Sequence, residues 1–387
     1  MTILQQQYKQ VRQLVDYENY TLLTKRLIDF TLDTGDIRFY KRMAQFLDWL
    51  DTNQNNVGEK NEKYIALLDE LYAFLKDKPV DAYYNTQLLS TYNFIRSYQN
   101  SSFALGPISM EVKSGEIIGL VGENGNGKTT LLRSLCGELA PSGGKLEYLF
   151  PYRDSYDLRS KLIYIPQRTA SWQGSLLSNL RFTASMYGIT GEENLLMVDL
   201  VVARMGLRKY RQYKWKNLSS GYKMRFELAR ALLRTPHLLL IDEPLANLDI
   251  LAQQVVLDDF KDIASSLFRP VGIVLSSQQL YEVEKTSDKV IFLKEGAPRN
   301  LPQDTDALYT EVVKFIVEFE SDWQQDKLHA AFAALHIERL QINGGTYVAS
   351  FPQNITQEDF LRLILDKQIP VNYFRNISSS TRRFFLS

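Results

Sequence analysis

The chain has 387 residues, enough for two or three domains that each bury a core. Its 45 basic and 45 acidic residues give zero net charge, which argues against a general nucleic-acid binder, because such a protein needs excess positive charge. A single cysteine, Cys136, excludes an internal disulfide framework and fits a reducing compartment. No apolar run reaches the length of a membrane span, so we expect a chain that is soluble by itself.

The first 88 residues show helical periodicity. Apolar and aromatic side chains recur every three or four positions in two stretches: Phe39, Met43, Phe46 and Leu50, then Tyr64, Leu67, Leu71 and Phe74. This spacing predicts an all-α bundle of three or four helices over residues 1–88. Core packing is the simpler interpretation of these stripes, and a docking face for another protein is the alternative.

Residues 89–300 alternate short β-branched strands with helices, which predicts an α/β domain built on a parallel sheet. The candidate strands are EIIGLVG, KLIYIPQ, HLLLIDE, VGIVLSS and KVIFLKEG. A helical insert is predicted at about 172–234. Within it, RKYRQYKWK at 208–216 holds five basic residues; a solvated edge is the simpler interpretation, and contact with lipid phosphates or an acidic partner loop is the alternative.

A glycine-rich loop follows the strand EIIGLV and precedes the helix KTTLLRSLCGEL. Strand, loop and helix in this order predict a phosphate-binding site, because backbone N–H groups and the helix N-terminus turn toward phosphate oxygens. Lys128 would supply a charge for the β- and γ-phosphates, and the Thr129 hydroxyl suits Mg²⁺. The predicted site comprises Gly122, Glu123, Asn124, Gly125, Asn126, Gly127, Lys128, Thr129 and Thr130.

The strand Leu238–Ile241 runs directly into two carboxylates. On a strand that merely reaches solvent, Asp242 and Glu243 would have no special role. With a phosphate loop upstream, we predict that Asp242 lies near Mg²⁺ and that Glu243 acts on the attacking water. Adjacent strand residues face opposite ways, so neighbouring acids can serve two roles.

Upstream of that strand, LSSGY at 218–222 opens a helix. The ordered set GENGNGKTT, IPQ, LSSGY, LLLIDEP, LANLD and a strand ending in SSQ resembles the ATP-binding cassette (ABC) family over roughly residues 90–300. The resemblance implies a P-loop NTPase cassette that binds ATP and Mg²⁺.

The same resemblance implies a head-to-tail dimer with each ATP between one subunit's phosphate loop and the signature of a second ATPase copy. Ser219, Ser220 and Gly221 would form that signature, and Asp249 would bridge the two sites. Gln167 would approach Mg²⁺ and the water, together with Thr129 and Asp242 as metal-site residues. Tyr98 stands where family members stack an aromatic ring on adenine.

Three positions depart from the family pattern. Ser220 replaces the more usual glycine and Tyr222 replaces a glutamine, and we expect both to leave the mechanism unchanged. Gln278 stands where a catalytic histidine is usual, and no histidine occurs between residues 238 and 328. Glutamine donates only a neutral hydrogen bond, so we predict slow but real hydrolysis; the alternative is that Gln278 is only a helix cap beside an otherwise normal site.

The last segment, 301–387, predicts the order β-α-β-β-α-β of a small α+β, ferredoxin-like domain. It resembles an appendage of some exporter-type ATPases. Its two histidines, His329 and His336, are isolated, and no residue set suggests catalysis.

Together these features predict the ATP-hydrolysing subunit of an ABC transporter, of the export type, acting on separate transmembrane permease subunits. We expect it in the cytoplasm, peripheral on the inner face of the membrane through those partners, with no nucleic acid bound. The N-terminal bundle is predicted to dock on the partner or on the second ATPase copy. The rival interpretations are a soluble ABC switch on ribosomes or DNA, and the degenerate half of a heterodimeric ATPase pair.

Overall fold

The computed structural model of the protein describes residues 2–53, 57–99, 102–278, 280–299, 315–343 and 345–378. The chain divides into two compact units, one formed by residues 1–288 with 293–298 and the other by 289–292 with 299–387. Within the described residues, no helix combines the length and the apolar character that crossing a bilayer requires.

The helices and strands follow one another in two stretches of the chain. Up to residue 165 they are α1 (Ile3–Asp16), α2 (Tyr20–Thr34), α3 (Ile37–Thr52), α4 (Val57–Leu75), β1 (Gln87–Ser97), β2 (Ala104–Lys113), β3 (Ile117–Val121), α5 (Lys128–Leu135), β4 (Gly143–Tyr148), α6 (Ser155–Lys161) and β5 (Leu162–Ile165). Beyond it lie α7 (Leu176–Met186), α8 (Gly191–Arg204), α9 (Ser220–Leu232), β6 (Leu238–Ile241), α10 (Ile250–Ala264), β7 (Gly272–Ser277), α11 (Leu280–Thr286), β8 (Lys289–Lys294), β9 (Ala297–Arg299), β10 (Phe315–Ser321), α12 (Gln325–Phe332), β11 (Arg339–Asn343), β12 (Thr346–Phe351), α13 (Gln357–Asp366) and β13 (Val371–Asn376).

The N-terminal region consists of four helices, in agreement with the predicted all-α bundle. Thr2 begins α1 with a capping box to Gln5, and Gly35, in the left-handed conformation (φ 65°), ends α2. The predicted stripe on α3 is buried at Phe39, Met43 and Phe46. Core packing is therefore what these side chains do.

The bundle packs on its own chain, through α2 and α3 against α8 and through buried ion pairs to α10. Asp48 and Asp51 of α3 also pair with Arg208, which begins the basic segment 208–216. Docking of the bundle on a partner or a second copy stays a prediction, as do the domain boundaries at residues 88 and 300.

A three-stranded antiparallel sheet, in the order β2-β1-β4, was not among the predicted elements. Its β2 strand alternates buried and exposed residues, but Gly106 and Pro107 interrupt the pattern. The pairing of β1 with β2 also shifts register three times. Because bulges and prolines weaken the period-2 signal, the sequence alone did not reveal these strands.

The central sheet contains the parallel strands β5-β6-β7-β3, side by side in that order. All four residues of β6 and all six of β7 are buried, as expected for a parallel sheet covered on both faces. The predicted insert holds α7, α8 and α9. This order brings the carboxyl ends of β3, β6 and β7 to one edge of the sheet.

The second unit has the predicted ferredoxin-like fold. Its strands run antiparallel in the order β11-β12-β10-β13, with α12 and α13 as the two crossover helices. The core is aromatic, with Phe319, Phe332 and Phe360 all fully buried. Residues 300–314 and 379–387 lie outside the described part of the chain.

Candidate functional site

The candidate site lies at the carboxyl edge of the central sheet. The phosphate loop follows β3, and Asp242 and Glu243 follow β6. In the parallel register, Leu120 of β3 pairs with Ser276, and Ile241 of β6 pairs with Leu275. The register alone therefore brings the loop, the two acids and the end of β7 together.

The phosphate loop is a tight turn whose glycines are required by space and by backbone conformation. Gly127, at φ 97°, caps α5, and a Cβ atom there would lie 2.8 Å from Leu105. Gly125 is also left-handed, at φ 84°, but faces open space. At Gly127 a side chain is therefore excluded both by contact with Leu105 and by backbone strain, and at Gly125 by backbone strain alone.

Lys128 is buried inside this loop. Its Nζ donates hydrogen bonds to the carbonyl oxygens of Gly122 (2.6 Å) and Glu123 (3.2 Å). The same Nζ lies 3.2 Å from Glu243 Oε1. The amine is therefore held between the loop and the second carboxylate.

Asp242 is 3% exposed and is held by hydroxyl groups from three elements. Its Oδ2 accepts hydrogen bonds from Thr129 (2.8 Å) and Tyr164 (3.4 Å), and its Oδ1 accepts one from Ser276 (2.6 Å). Burial raises the pKa of Tyr164, and the charge of Asp242 raises it further. Tyr164 therefore stays a hydrogen-bond donor at neutral pH.

Glu243 has a left-handed backbone conformation (φ 49°), which is uncommon for a residue other than glycine. Its N–H donates to Ser276 Oγ at 2.9 Å, which fixes the turn directly after β6. Its Oε1 is buried, and no described group donates a hydrogen bond to it, although Lys128 lies at ion-pair distance. The ammonium and the carboxylate therefore form an ion pair without a hydrogen bond to Oε1, which leaves this oxygen as an acceptor for a further donor.

Three other predicted residues lie at or near this edge. Gln167 is exposed two residues beyond Ile165, whose carbonyl accepts the Asp242 N–H at 2.9 Å. Gln278 is exposed at the bend that ends β7. The Tyr98 hydroxyl lies 3.5 Å from Thr130 Oγ1 on α5, which places its ring beside the phosphate loop.

The signature residues lie together with Asp249 and form no hydrogen bond to the described phosphate loop. Ser219 caps α9 and Asp249 caps α10. The Ser220 hydroxyl donates to the carbonyl of Asn247 at 2.7 Å, two residues before Asp249. The hydrogen bonds and the ion pair therefore form two groups, the phosphate loop with the two acids and the signature with the end of the turn at Asn247.

Sequence reasoning missed Ser276 and Tyr164. Ser276 contacts both acids, as a donor to Asp242 and as an acceptor from the backbone of Glu243. A detectable signal was present, because the buried strand at 272–277 ends in two serines at the edge where the site forms. Tyr164 lies inside β5 and carries no such signal.

The residues fit a nucleotide with Mg²⁺. Gly125 faces open space, and Thr129 and Asp242 offer the oxygen ligands that Mg²⁺ prefers. Among the described residues none donates a hydrogen bond to the buried Glu243 Oε1, which leaves an acceptor for a donor such as water. The structure therefore supports the chemistry expected of these residues, whose individual roles remain proposals.

Comparison with known proteins identifies the relatives. The family model described as ABC transporter matches residues 105–246. The chain is 29% identical over 203 residues to the ABC transporter ATP-binding protein NatA of Bacillus subtilis, covering 50% of this chain and 79% of that protein. It is 31% identical over 205 residues to the zinc import ATP-binding protein ZnuC of Pseudomonas savastanoi pv. phaseolicola, covering 52% and 72%.

A solved structure agrees with these relatives. cbiO1 from Clostridium perfringens, part of the ABC transporter complex cbiONQ, superposes with a TM-score of 0.52 at 25% identity. The superposition covers 58% of this chain and 91% of cbiO1. The similarity, the ordered motifs and the arrangement of the phosphate loop around Asp242 lead to one conclusion: the chain belongs to the ABC transporter family, as an ATP-binding subunit.

Proposed function

We propose that this chain binds and hydrolyses ATP in order to drive separate transmembrane subunits, as a dimer with a second ATPase copy. One observation carries the proposal: Thr129 Oγ1 lies 2.8 Å from Asp242, and Lys128 Nζ lies 3.2 Å from Glu243. Each acid thus contacts one residue of the phosphate loop: Asp242 contacts Thr129, which would hold Mg²⁺, and Glu243 contacts Lys128, which would bind the β- and γ-phosphates.

The proposed roles follow from these contacts. Lys128 would exchange its loop carbonyls and Glu243 for phosphate oxygens, which frees the carboxylate to accept a proton from water. Thr129 and Asp242 would hold Mg²⁺, and Ser276 would keep the Asp242 carboxylate in place. Bound with ATP, the ion would neutralise charge on the phosphate oxygens. Glu243 is thus the proposed catalytic base.

Gln278 is proposed to act where the family usually has a histidine. It is exposed at the end of β7, the strand whose Ser276 contacts both acids. A neutral amide keeps a hydrogen-bond donor but lacks the imidazolium charge. Since loss of one stabilising donor costs ~10²–10³ in rate, a partial replacement slows hydrolysis by less than that.

The dimer and the membrane partners form part of the same proposal. Within the described residues, the signature and Asp249 form no hydrogen bond to the phosphate loop of their own chain, which is consistent with the proposed head-to-tail dimer. The chain would then sit on the cytoplasmic face of the membrane through permease subunits. Export rests only on the resemblance of the C-terminal unit, while the ZnuC relative is named for zinc import. The proposed ATPase role does not depend on the direction.

The first test is steady-state Mg-ATP hydrolysis by the purified chain and two variants. Glu243→Gln should abolish turnover while ATP still binds, because the amide fills the same space but accepts no proton. Gln278→His should raise kcat by up to about tenfold, because it restores a charge near the γ-phosphate. Glu138→Gln, a change to an exposed acid paired with Arg133, is the matched control and should leave kcat unchanged.

Two results would contradict the proposal. Equal rates for wild type and Glu243→Gln would remove Glu243 from the catalytic role. Tight ATP binding without turnover, and without gain from Gln278→His, would favour a nucleotide switch or the degenerate half of a heterodimer.

A further inference from the structure

Ser220 gives the signature a hydroxyl group at a position where the family usually has glycine. Ser220, the first residue of α9, donates its hydroxyl to the carbonyl oxygen of Asn247 at 2.7 Å. The two residues are 27 positions apart, one at the end of the helical insert and the other in the turn between β6 and α10. This hydrogen bond therefore links the insert to the sheet domain.

The turn that receives this bond is the one that carries Glu243. Residues 243–249 include two left-handed residues other than glycine, Glu243 (φ 49°) and Asn247 (φ 61°). Such conformations cost free energy and persist only where surrounding contacts hold them. The hydrogen bonds to this turn therefore decide where the Glu243 backbone is placed.

Three side chains hold the turn along its length. Ser276 accepts from the Glu243 N–H at its start, and Gln253 Nε2 donates to the carbonyls of Leu245 (3.3 Å) and Leu248 (3.2 Å). Ser220 holds the intervening carbonyl of Asn247. Ser276 and Gln253 belong to the sheet domain, so Ser220 supplies the hydrogen bond that comes from the signature.

The packing beside Ser220 supports the same link. A Cβ atom on Gly221 would lie 3.7 Å from Leu248 and 3.7 Å from Ala252, which is ordinary van der Waals contact. The start of α9 therefore lies directly on the end of the turn, and a hydroxyl at position 220 reaches it without rearrangement.

We propose that Ser220 is a positioning residue, which ties the signature to the turn that carries Glu243. This inference rests on the proposed function, because it links the signature to the turn that carries the proposed catalytic base. A shift of α9 would be passed to residues 243–249 of the same chain. Ser220, which departs from the family pattern, would thus position the turn at 243–249 within its own subunit.

Hydrogen exchange of the whole chain tests the link without depending on hydrolysis. Ser220→Ala and Ser220→Gly both remove the donor, so amides in 243–249 should exchange about fivefold faster, the factor of one ordinary hydrogen bond. Ser220→Thr keeps the hydroxyl and should restore slow exchange. The control is Ser160→Ala, which removes a hydroxyl that also donates to a carbonyl at 2.7 Å, in α6; it should leave 243–249 unchanged.

Kinetics test the consequence. In the Ala and Gly variants kcat should fall about three- to tenfold with KM within about twofold, because the Ser220 hydroxyl is directed to Asn247 and Ser219 and Gly221 of the signature are unchanged. Ser220→Thr should restore kcat. The inference would be overturned if amide exchange in 243–249 were unchanged in the Ala and Gly variants. It would also be overturned if Ser220→Thr lost as much kcat as those variants. If wild type hydrolysed no ATP, the proposed function would fail, and the exchange measurement would still decide the link.

Discussion

Arg204 has no exposed surface, yet it keeps its charge among three carboxylates. Its Nε lies 2.8 Å from Asp29, one terminal nitrogen lies 2.5 Å from Asp259, and the other lies 3.4 Å from Asp262. Lys25 and Arg26 of α2 neutralise the same acids. Burial raises the pKa of Asp262, and Arg26 and Arg204 oppose that rise. The cluster is balanced only while every member is present.

Replacement of Arg204 by methionine should lower the free energy of unfolding by about 3–5 kcal/mol, because it leaves buried carboxylates without their central partner. Arg208→Met is the matched control. Arg208 pairs with Asp48 and Asp51, whose side chains are 74% and 64% exposed, and lies 3.8 Å from the 27% exposed Asp199, so its loss should cost about 1 kcal/mol. Urea unfolding measures both values, and equal losses would contradict the assigned role of Arg204.

Cys136 should make the fold sensitive to alkaline pH. Burial raises the pKa of this thiol to about 11, whereas the pKa of a cysteine in an unfolded chain is about 8.5. Because the folded pKa is higher, the contribution to stability is complete below pH ~8.5 and is lost as the pH rises towards 11. Unfolding free energies measured across this window should fall less steeply for Cys136→Ala than for wild type. If the unfolding free energies of wild type and Cys136→Ala fell equally with pH, the pKa of the thiol would be the same in the folded and unfolded chains.

At the scale of elements, α2 joins the helical insert to the sheet domain. It supplies Lys25, Arg26 and Asp29 to a cluster whose other members are Arg204 of α8 and two acids of α10. Its Asp33 also accepts hydrogen bonds from Ser266 and Arg269 just beyond α10. The bundle therefore completes the core of the first unit.

A chain of residues 81–387 should be much less stable than the full chain, since it exposes the Arg204 cluster. The melting temperature should fall by at least about 10 °C, the equivalent of several kcal/mol for a domain of this size. The separate fragment 1–80 should restore it when mixed at equal concentration. Equal melting temperatures for the truncated and the full chain would show that the bundle contributes nothing to the stability of the fold.

The elements that the sequence predicted have strong local signals. The parallel strands are short apolar runs, and α3 and α4 bury six of the eight residues of their predicted stripes. The antiparallel sheet was missed because its pairing includes register shifts, which depend on contacts distant in sequence. The C-terminal fold was predictable because its segments follow the order β-α-β-β-α-β, and β11 and β12 pair antiparallel as consecutive strands.

The candidate site divides in the same way, into local motifs that the sequence reveals and contacts between distant residues that it does not. The phosphate loop and Asp242 with Glu243 are local motifs, and the structure brings them into contact, while their roles toward ATP stay a prediction. The contacts of Ser276 with both acids depend on the strand order of the sheet, which the sequence does not state. The Ser220 contact depends on how the insert meets the turn at 243–249, and sequence reasoning had treated that serine as a neutral departure.

At the scale of the whole molecule, the chain consists of two compact units with separate cores. The second core is a cluster of aromatic rings, in which Phe360 is fully buried and lies 5.4 Å from Phe332 and 5.5 Å from Phe374 between ring centroids. Only the first unit contains the residues that would bind ATP. The two units should therefore respond separately to a ligand and to a core substitution.

Calorimetry of the full chain should resolve two unfolding transitions. Mg-ATP at 100 times its dissociation constant should stabilise only the first unit, by about 2.7 kcal/mol, since ligand binding stabilises the state that binds. Phe360→Ala should lower only the other transition, by about 3–5 kcal/mol, because it leaves a cavity among packed rings. Phe182→Ala, at a side chain that is 64% exposed in the first unit, should move neither transition appreciably. If Mg-ATP and Phe360→Ala shifted the same single transition, the two units would unfold as one, and the aromatic core would contribute to the stability of the nucleotide site.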